Sequence, residues 1–150
     1  MQNLFDVQKL EHYLAEGSQH VDGYLQSGSA SIIWSIFDIQ DELKIAGNLA
    51  EIGVYHGKLF ILLCHCLRKG ERAFAVDPFD TQPEIQGIKT KKDRQKFSSD
   101  NLKSNLSSNG IGSDLVKLIV ADSQALTGAE LLNEFGSANI RIFSIDGDHS

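Results

Sequence analysis

The sequence contains no apolar run long enough to cross a membrane. Its longest apolar stretch, residues 59–67, is interrupted by Cys64, His65 and Cys66, and it is far shorter than the roughly 20 residues that span a bilayer. The N-terminus also lacks the cationic start and following apolar run of a secretory signal. We therefore expect no transmembrane helix, no membrane partner and a cytoplasmic location.

Cysteine is also scarce. Cys64 and Cys66 lie two residues apart in a segment predicted to be helical, where their side chains point in different directions. A disulfide between them is therefore not expected. A zinc site would need further ligands, and neither cysteine has a partner at zinc-ligand spacing. Buried packing is the favoured interpretation.

Positive charge does not dominate the chain. Its 14 lysines and arginines are outnumbered by 20 aspartates and glutamates, which gives a formal net charge of −6 at pH 7. Duplex binding draws affinity from basic side chains that neutralise phosphates, so a nucleic-acid partner is not expected. A small molecule is the favoured partner.

The length and composition fit one globular domain. The chain has 150 residues, of which 41% are hydrophobic and 23% are charged, and this is enough to bury a sizeable core. A helical segment, residues 1–47, precedes an alternating pattern of strands and helices over residues 48–150. In the first part, the apolar positions of residues 32–43 fit one helix face, and Ser29 or Ser31 could cap its start.

Short apolar runs alternate with helical patterns in the second part. The runs predict strands at residues 49–54, 73–76, 115–120 and 140–145. Between them we expect helices at residues 57–70, 93–108 and 126–135, with a long polar loop at 79–92. Strands that are apolar on both faces are typical of parallel sheets, so the pattern predicts a doubly wound α/β fold with a mostly parallel sheet.

A glycine-bearing turn follows the first predicted strand. Its pattern, Glu51-x-Gly53-x-x-x-Gly57, allows a tight turn and lets a ligand approach without an intervening Cβ. A dehydrogenase would usually show G-x-G-x-x-G here, and only two glycines are present. Two turn glycines in some other α/β fold are the alternative. Tyr55 and His56 lie in this loop and are interpreted as packing residues rather than catalytic ones.

Acidic residues follow the next two predicted strands. Asp77 is placed to accept two ribose hydroxyls, although an aspartate before Pro78 is also a common turn former. Asp122 and Ser123 could meet an adenine edge. The alternative for that pair is capping of the next helix.

The fourth predicted strand leads into Asp146-Gly147-Asp148-His149. Ligand sites of open α/β sheets lie at the carboxyl ends of strands. The two aspartates could bind a hard divalent cation, and His149 could take a proton near neutral pH. A polar turn that caps a following helix is the alternative.

Taken in order, these segments resemble the small class I S-adenosylmethionine-dependent methyltransferases, which include many sugar and natural-product O-methyltransferases. The matching motifs are Glu-Ile-Gly-Val-Tyr-x-Gly, Val-Asp-Pro, Phe97-x-x-x-Asn101-Leu102, Asp-Ser-Gln and Ile-Asp-Gly-Asp-His, spread over residues 48–150. The resemblance implies a Rossmann-like sheet and S-adenosylmethionine as cofactor. The cofactor-binding candidates that it implies are Glu51, Gly53, Tyr55, Gly57, Asp77, Asp122, Ser123 and Asp146.

The same resemblance implies a catalytic arrangement. In related catechol-type enzymes, the aspartate that ends strand four binds magnesium, and a basic side chain three residues later deprotonates the substrate hydroxyl. Asp146 and His149 fall on these positions, so they are the catalytic candidates. Asp146 and Asp148 are the candidate ligands for Mg²⁺. The implied reaction is O-methylation of a small molecule or sugar hydroxyl.

The resemblance also implies a seven-stranded sheet of order 3-2-1-4-5-7-6, whereas this sequence stops after strand four. We expect a fragment that holds the cofactor half, or a second copy that covers the open edge of strand four in a homo-oligomer. One alternative is a methyltransferase-like domain that binds the cofactor or assembles without catalysis. Another is a glycosyltransferase that uses Asp146-Gly147-Asp148 as a D-x-D motif.

Overall fold

The computed structural model describes residues 6–81, 90–136 and 139–146, with the backbone alone at residues 80 and 92–94. Its helices are α1 (Val7–Ala15), α2 (Ser27–Glu42), α3 (Lys58–His65), α4 (Lys91–Lys96), α5 (Ser99–Ser108) and α6 (Gly128–Phe135). Its strands are β1 (Asn48–Ile52), β2 (Ala73–Asp77), β3 (Val116–Val120) and β4 (Ile140–Ile145).

The four strands form one parallel sheet of order β3-β2-β1-β4. β1 therefore lies between β2 and β4. β2 and β3 extend the sheet on one side of β1, and β4 is added on the other side, so the strand order reverses at β1. In open α/β sheets, ligands bind outside the carboxyl ends of the strands at such a point. The predicted fold class, an α/β Rossmann-like sheet, is confirmed.

Each face of the sheet has its own apolar cluster, because neighbouring side chains on a strand point to opposite faces. Leu49 of β1 joins the larger cluster, where Tyr13, Phe37 and Phe60 bring together α1, α2 and α3. The smaller cluster lies on the other face and contains Ala50, Phe74, Val76, Ile119 and Phe135. Burial on both faces explains why the strands read as nearly continuous apolar runs.

The predicted cap of α2 is wrong. The helix begins at Ser27, and its N-cap residue Gln26 makes no side-chain capping bond. Ser29 and Ser31 lie inside the helix, and the Ser31 hydroxyl donates to the Ser27 carbonyl four residues earlier at 3.0 Å. A serine hydroxyl inside a helix commonly makes this bond instead of capping a terminus.

Other helix boundaries also differ from the predictions. The helix expected at residues 93–108 is two helices, because Ser98 caps a new start by accepting from the Asn101 N–H. α6 begins after Thr127, where Thr127 and Glu130 form a reciprocal capping box. α3 ends at His65, well before Gly70.

Arg141 of β4 holds the amino edge of the sheet together. Its buried guanidinium forms a salt bridge with Glu71 at 2.7 Å. It also donates to Gln40 of α2 at 2.6 Å and to the carbonyls of Gly47 at 3.0 Å and Cys66 at 2.8 Å. One side chain thus connects α2, the entry to β1, the end of α3 and the entry to β2.

Two further expectations concern the cysteines and membrane-spanning helices. Cys64 and Cys66 are both buried and free, as the packing interpretation predicted. No helix within the described ranges has the length and apolarity needed to cross a membrane.

Candidate active site

The carboxyl edge of the sheet gathers three of the predicted site residues. Ile52 is the last β1 residue paired with both neighbouring strands. The next positions on those strands, Asp77 and Asp146, therefore flank the start of the glycine turn at Gly53. The Asp146 N–H donates to the Ile52 carbonyl at 2.9 Å, which fixes this end of β4 against β1.

The turn itself needs its glycines. Gly53 and Gly57 have φ angles of +80° and +89°, in the left-handed region that disfavours a Cβ. Tyr55 also has a positive φ, +53°, which is uncommon for a side chain of this size. A Cβ on Gly57 would lie 2.4 Å from Cδ1 of Leu102, so this glycine also allows α3 to start close to α5.

Glu51 lies beneath the turn and is 2% exposed. Its Oε2 has no hydrogen-bond partner among the described residues. Burial, and then the negative charges of Asp146 and Asp77, raise the pKa of Glu51 well above its ordinary value. A carboxylate in this position would be stabilised by a bound cationic group.

Asp77 ties the turn to β2. One carboxylate oxygen accepts from the Tyr55 N–H at 3.1 Å and the other from the Phe79 N–H at 2.7 Å. The second bond, two residues along the chain, is the turn-forming interaction that was the alternative for this aspartate. Burial raises the pKa of Asp77, against the opposing effect of these backbone N–H groups.

His56 and the asparagines of α5 anchor the other side of the turn. His56 is 3% exposed, and Nδ1 of its ring lies 3.3 Å from Oδ1 of Asn101. Asn105 donates to the His56 carbonyl at 2.9 Å. The rings of Tyr55 and Phe97 pack against His56 at centroid distances of 4.0 and 5.4 Å. Phe97 and Asn101 belong to one of the motifs that carry the family resemblance, but their anchoring role was not predicted from the sequence.

The remaining site residues are placed differently. Asp122 caps the short turn Ser123–Ala125 by accepting from the Gln124 N–H at 2.9 Å, which is the capping alternative. Asp148 and His149 lie outside the described residues. Across 6–81, 90–136 and 139–146, no three His, Cys, Asp or Glu residues are grouped so as to hold a metal ion.

Comparisons with known proteins place this geometry in a family. A family model described as a methyltransferase domain matches residues 50–150. Among solved structures, cofactor-bound Rv0187 from MTB has a TM-score of 0.52 and 16% identity, covering 95% of this chain and 55% of its own. The apo structure of CalS11, a TDP-rhamnose 3'-O-methyltransferase of calicheamicin biosynthesis, has a TM-score of 0.51 and 15% identity, covering 91% and 58%.

These likenesses differ in what they establish. At 15–16% identity the two solved structures share the fold, and this chain spans little more than half the length of each. No similar sequence was found among curated proteins. The family match, by contrast, covers more than half of the chain, from Ala50 in β1 through all four strands. The chain therefore belongs to the methyltransferase-domain family.

Proposed function

We propose that this chain forms the cofactor-binding part of an S-adenosylmethionine-dependent methyltransferase. The observation that carries the proposal is the buried carboxyl group of Glu51, whose Oε2 lacks a partner in the described residues, below a glycine turn. Asp77 and Asp146 add negative charge at the same edge. S-adenosylmethionine is cationic at its sulfonium and its ammonium group, so its charge complements this site.

Each residue has a proposed role toward the cofactor. Glu51 binds the ammonium group directly or through water, and the backbone of Gly53 to Gly57 surrounds the methionine part. Asp77 accepts the ribose hydroxyls. A carboxylate offers about four lone-pair positions, so its bonds to backbone N–H groups are compatible with this role. Asp122 and Ser123 are proposed to lie near the adenine.

The bound cofactor would supply an electrophilic methyl group on sulfur. The residues of this chain then act by holding that group in a fixed orientation, so that a substrate oxygen attacks in line with the departing sulfur. Asp146, at the end of β4, is proposed to orient the acceptor hydroxyl, and His149 is proposed to remove its proton. The proposed acceptor is a small-molecule or sugar hydroxyl, a class that includes the TDP-rhamnose hydroxyl methylated by CalS11.

Binding of Mg²⁺ by Asp146 and Asp148 is a separate part of this proposal. Asp146 is exposed at the carboxyl edge, but within the described residues it is the only one of the two proposed ligands. A single carboxylate does not make a divalent-cation site, so orientation and deprotonation of the acceptor are proposed for Asp146 and His149 without an ion. A cytoplasmic location and the absence of a nucleic-acid partner remain parts of the same proposal, supported by the sequence and its charge of −6.

Ligand-dependent thermal stability tests the cofactor assignment. S-adenosylhomocysteine retains the ammonium and the ribose, so it should raise the melting temperature of this chain. At a concentration of 100 times Kd, the expected stabilisation is about 2.7 kcal/mol. Glu51→Gln and Asp77→Asn should lose most of the shift. Glu11→Gln, an exposed change on α1, is the matched control and should retain it.

Two outcomes would redirect the assignment. A shift with a uridine sugar nucleotide but none with S-adenosylhomocysteine would support the D-x-D glycosyltransferase alternative. Cofactor binding without methyl transfer to any hydroxyl acceptor would support a non-catalytic binding module. A magnesium requirement for the shift or for transfer, lost in Asp146→Asn, would support the metal.

A further inference from the structure

A cavity of about 540 Å³ lies between α1, the end of α3 and the end of α5. Lys9, Tyr13 and Glu16 line it from one face of α1. His65, the last residue of α3, and Ser108, the last residue of α5, form another part of the lining. Small-molecule sites in proteins occupy roughly 300–1,000 Å³, so this cavity is large enough to hold a ligand. We call it the helix-end cavity.

The helix-end cavity is separate from the glycine turn. The described residues that line it include none from the turn or from the carboxyl edge of the sheet. α3 begins beside the turn at Lys58 and ends in the cavity at His65, and seven residue steps of about 1.5 Å separate these two positions by roughly 10 Å. A ligand in the cavity would therefore not occupy the proposed cofactor site.

His65 gives the cavity a buried polar group. The residue is 8% exposed, and its Nε2 has no hydrogen-bond partner among the described residues. Burial lowers the pKa of His65 to about 4, so the imidazole is neutral near pH 7. When Nδ1 carries the proton, Nε2 is a hydrogen-bond acceptor. A buried polar atom without a partner costs free energy, which an N–H donor on a ligand would recover.

The fixed charges around the cavity favour a cation. α3 and α5 both end here, and the C-terminal end of a helix carries partial negative charge. Glu16 adds a carboxylate, and the ring of His12 lies 3.8 Å from it. Lys9 also lines the cavity, but its ammonium group pairs with Asp6 at 3.4 Å. Above neutral pH an exposed histidine is ordinarily uncharged, so the negative charges then exceed the positive ones.

Aromatic rings define the shape of the ligand. The rings of Tyr13 and His65 have centroids 5.2 Å apart and are tilted by 38°. The Tyr13 hydroxyl donates to the Lys58 carbonyl at 2.6 Å, so its ring remains available to a ligand. A flat apolar body fits beside such rings, and the face of a tyrosine ring attracts an ammonium group. Because no three His, Cys, Asp or Glu residues in the described ranges are grouped to hold a metal ion, an organic cation is favoured.

From the volume of the cavity, the buried His65 and the two helix ends, we propose that the helix-end cavity is a second ligand site. Its ligand is a small organic cation in which a primary ammonium group is joined to a flat apolar body. The ammonium group donates to His65 and is attracted by Glu16, while the apolar body lies against Tyr13. This site does not depend on the proposed cofactor.

Three probes of similar shape and different charge test the proposal: phenethylammonium, 2-phenylethanol and phenylacetate. Their binding to this chain is followed by ¹H–¹⁵N correlation spectra at pH 7.5. Phenethylammonium should shift the resonances of the cavity lining and should bind at least about threefold more tightly than 2-phenylethanol, because the helix ends favour the positive charge. Phenylacetate should bind most weakly. No shift with millimolar phenethylammonium, or equal affinity for the amine and the alcohol, would overturn the proposal.

Variants of the lining test the location. Ser108 is exposed, so Ser108→Trp should fill the cavity and abolish the shifts while the rest of the spectrum stays folded. Ser107→Trp is the matched control, since Ser107 is exposed beside it and outside the lining, and it should still bind. Glu16→Gln should weaken binding of the amine by up to about fivefold, whereas Glu11→Gln, also exposed on α1, should not. Unchanged binding by Ser108→Trp and Glu16→Gln would contradict the location.

Competition separates this site from the proposed cofactor site. Phenethylammonium should bind with the same affinity when S-adenosylhomocysteine is present in saturating amounts. Glu51→Gln should also bind the amine as the unmodified chain does, even though it should lose the cofactor-dependent shift in melting temperature. Displacement of the amine by S-adenosylhomocysteine would place it at the glycine turn and overturn the second site, while leaving the proposed function intact.

Discussion

At the scale of single residues, Glu51 holds a carboxyl group in an almost fully buried position. Burial and the neighbouring aspartates raise its pKa, so the folded chain retains this proton at pH values where the unfolded chain releases it. The stability that this provides is fully present below the ordinary pKa of glutamate and is lost as pH rises through the raised value. Burial also raises the pKa of Asp77, which adds to the same trend.

Replacing Glu51 by glutamine should therefore flatten the dependence of stability on pH. The amide cannot ionise, so Glu51→Gln should gain melting temperature relative to the unmodified chain as the pH rises above the ordinary glutamate range. Thermal melts across a pH series measure this, with Glu11→Gln as an exposed control. Equal pH slopes for the unmodified chain and Glu51→Gln would show that Glu51 is ionised without penalty.

A second prediction at the residue scale concerns Gly57, whose missing Cβ allows α3 to start close to α5. Gly57→Ala should suffer the left-handed backbone cost of about 1–2 kcal/mol and a further ~1–3 kcal/mol from contact with Leu102. Gly70→Ala has the same φ of +89°, but among the described residues its Cβ would meet no atom within 4 Å, so it should show the backbone cost alone. Chemical denaturation gives both values, and equal losses would contradict the packing role.

At the scale of elements, Arg141 and Glu71 join four segments at the amino edge. Burial alone would raise the pKa of Glu71, but hydrogen bonds from Arg141, Gly47 and Arg68 outweigh it and lower the pKa. Glu71 therefore stays ionised beside the buried guanidinium of Arg141. Removing one of them leaves the other as an uncompensated buried charge.

Arg141→Met should destabilise the chain by about 3–5 kcal/mol. Lys103→Met breaks an exposed ion pair with Asp100 and should change stability by at most ~1 kcal/mol. Urea denaturation compares the two. The double variant Arg141→Met/Glu71→Gln should lose less than the two single losses combined, and additive losses would show that the pair is not coupled.

Elements were predictable to different degrees from the sequence. The strands were located because each is an apolar run buried on both faces, and β4 matches its expected range of 140–145. Helix ends were less accurate because they depend on single side-chain bonds. Thr127 with Glu130 was a readable capping box, and Ser98 split a helix that periodicity alone could not divide.

The candidate site was predictable where it depends on topology. Parallel strands end at one edge, so Glu51, Asp77 and Asp146 were expected to lie together. Their local bonding was not predictable, because it depends on contacts between distant segments. Asp77 binding the Tyr55 N–H is one example, and the salt bridge of Arg141 to a residue 70 positions away is another.

At the scale of the whole molecule, the sheet has two edges in the part that the structure describes, β3 and β4. β4 pairs with β1 alone there, and its exposed residues include Ile145 at 71% and Phe143 at 44%. The solved relatives are longer, and this chain covers 55–58% of them. An open apolar edge is a template for pairing with another strand.

The open edge of β4 is expected to promote aggregation when the chain is concentrated. Ile145→Lys places a charge at the β4 edge, where it opposes strand pairing, so it should reduce aggregation measured by light scattering. Leu132→Lys adds the same charge at a similarly exposed position, 67%, on α6, and should reduce aggregation less. Because both changes remove an exposed aliphatic side chain and shift the net charge of −6 by the same one positive charge, the difference between them isolates the effect of the β4 edge. Equal reductions would assign the aggregation to exposed apolar surface in general and not to the β4 edge, because one added positive charge on a chain of net charge −6 weakens general repulsion.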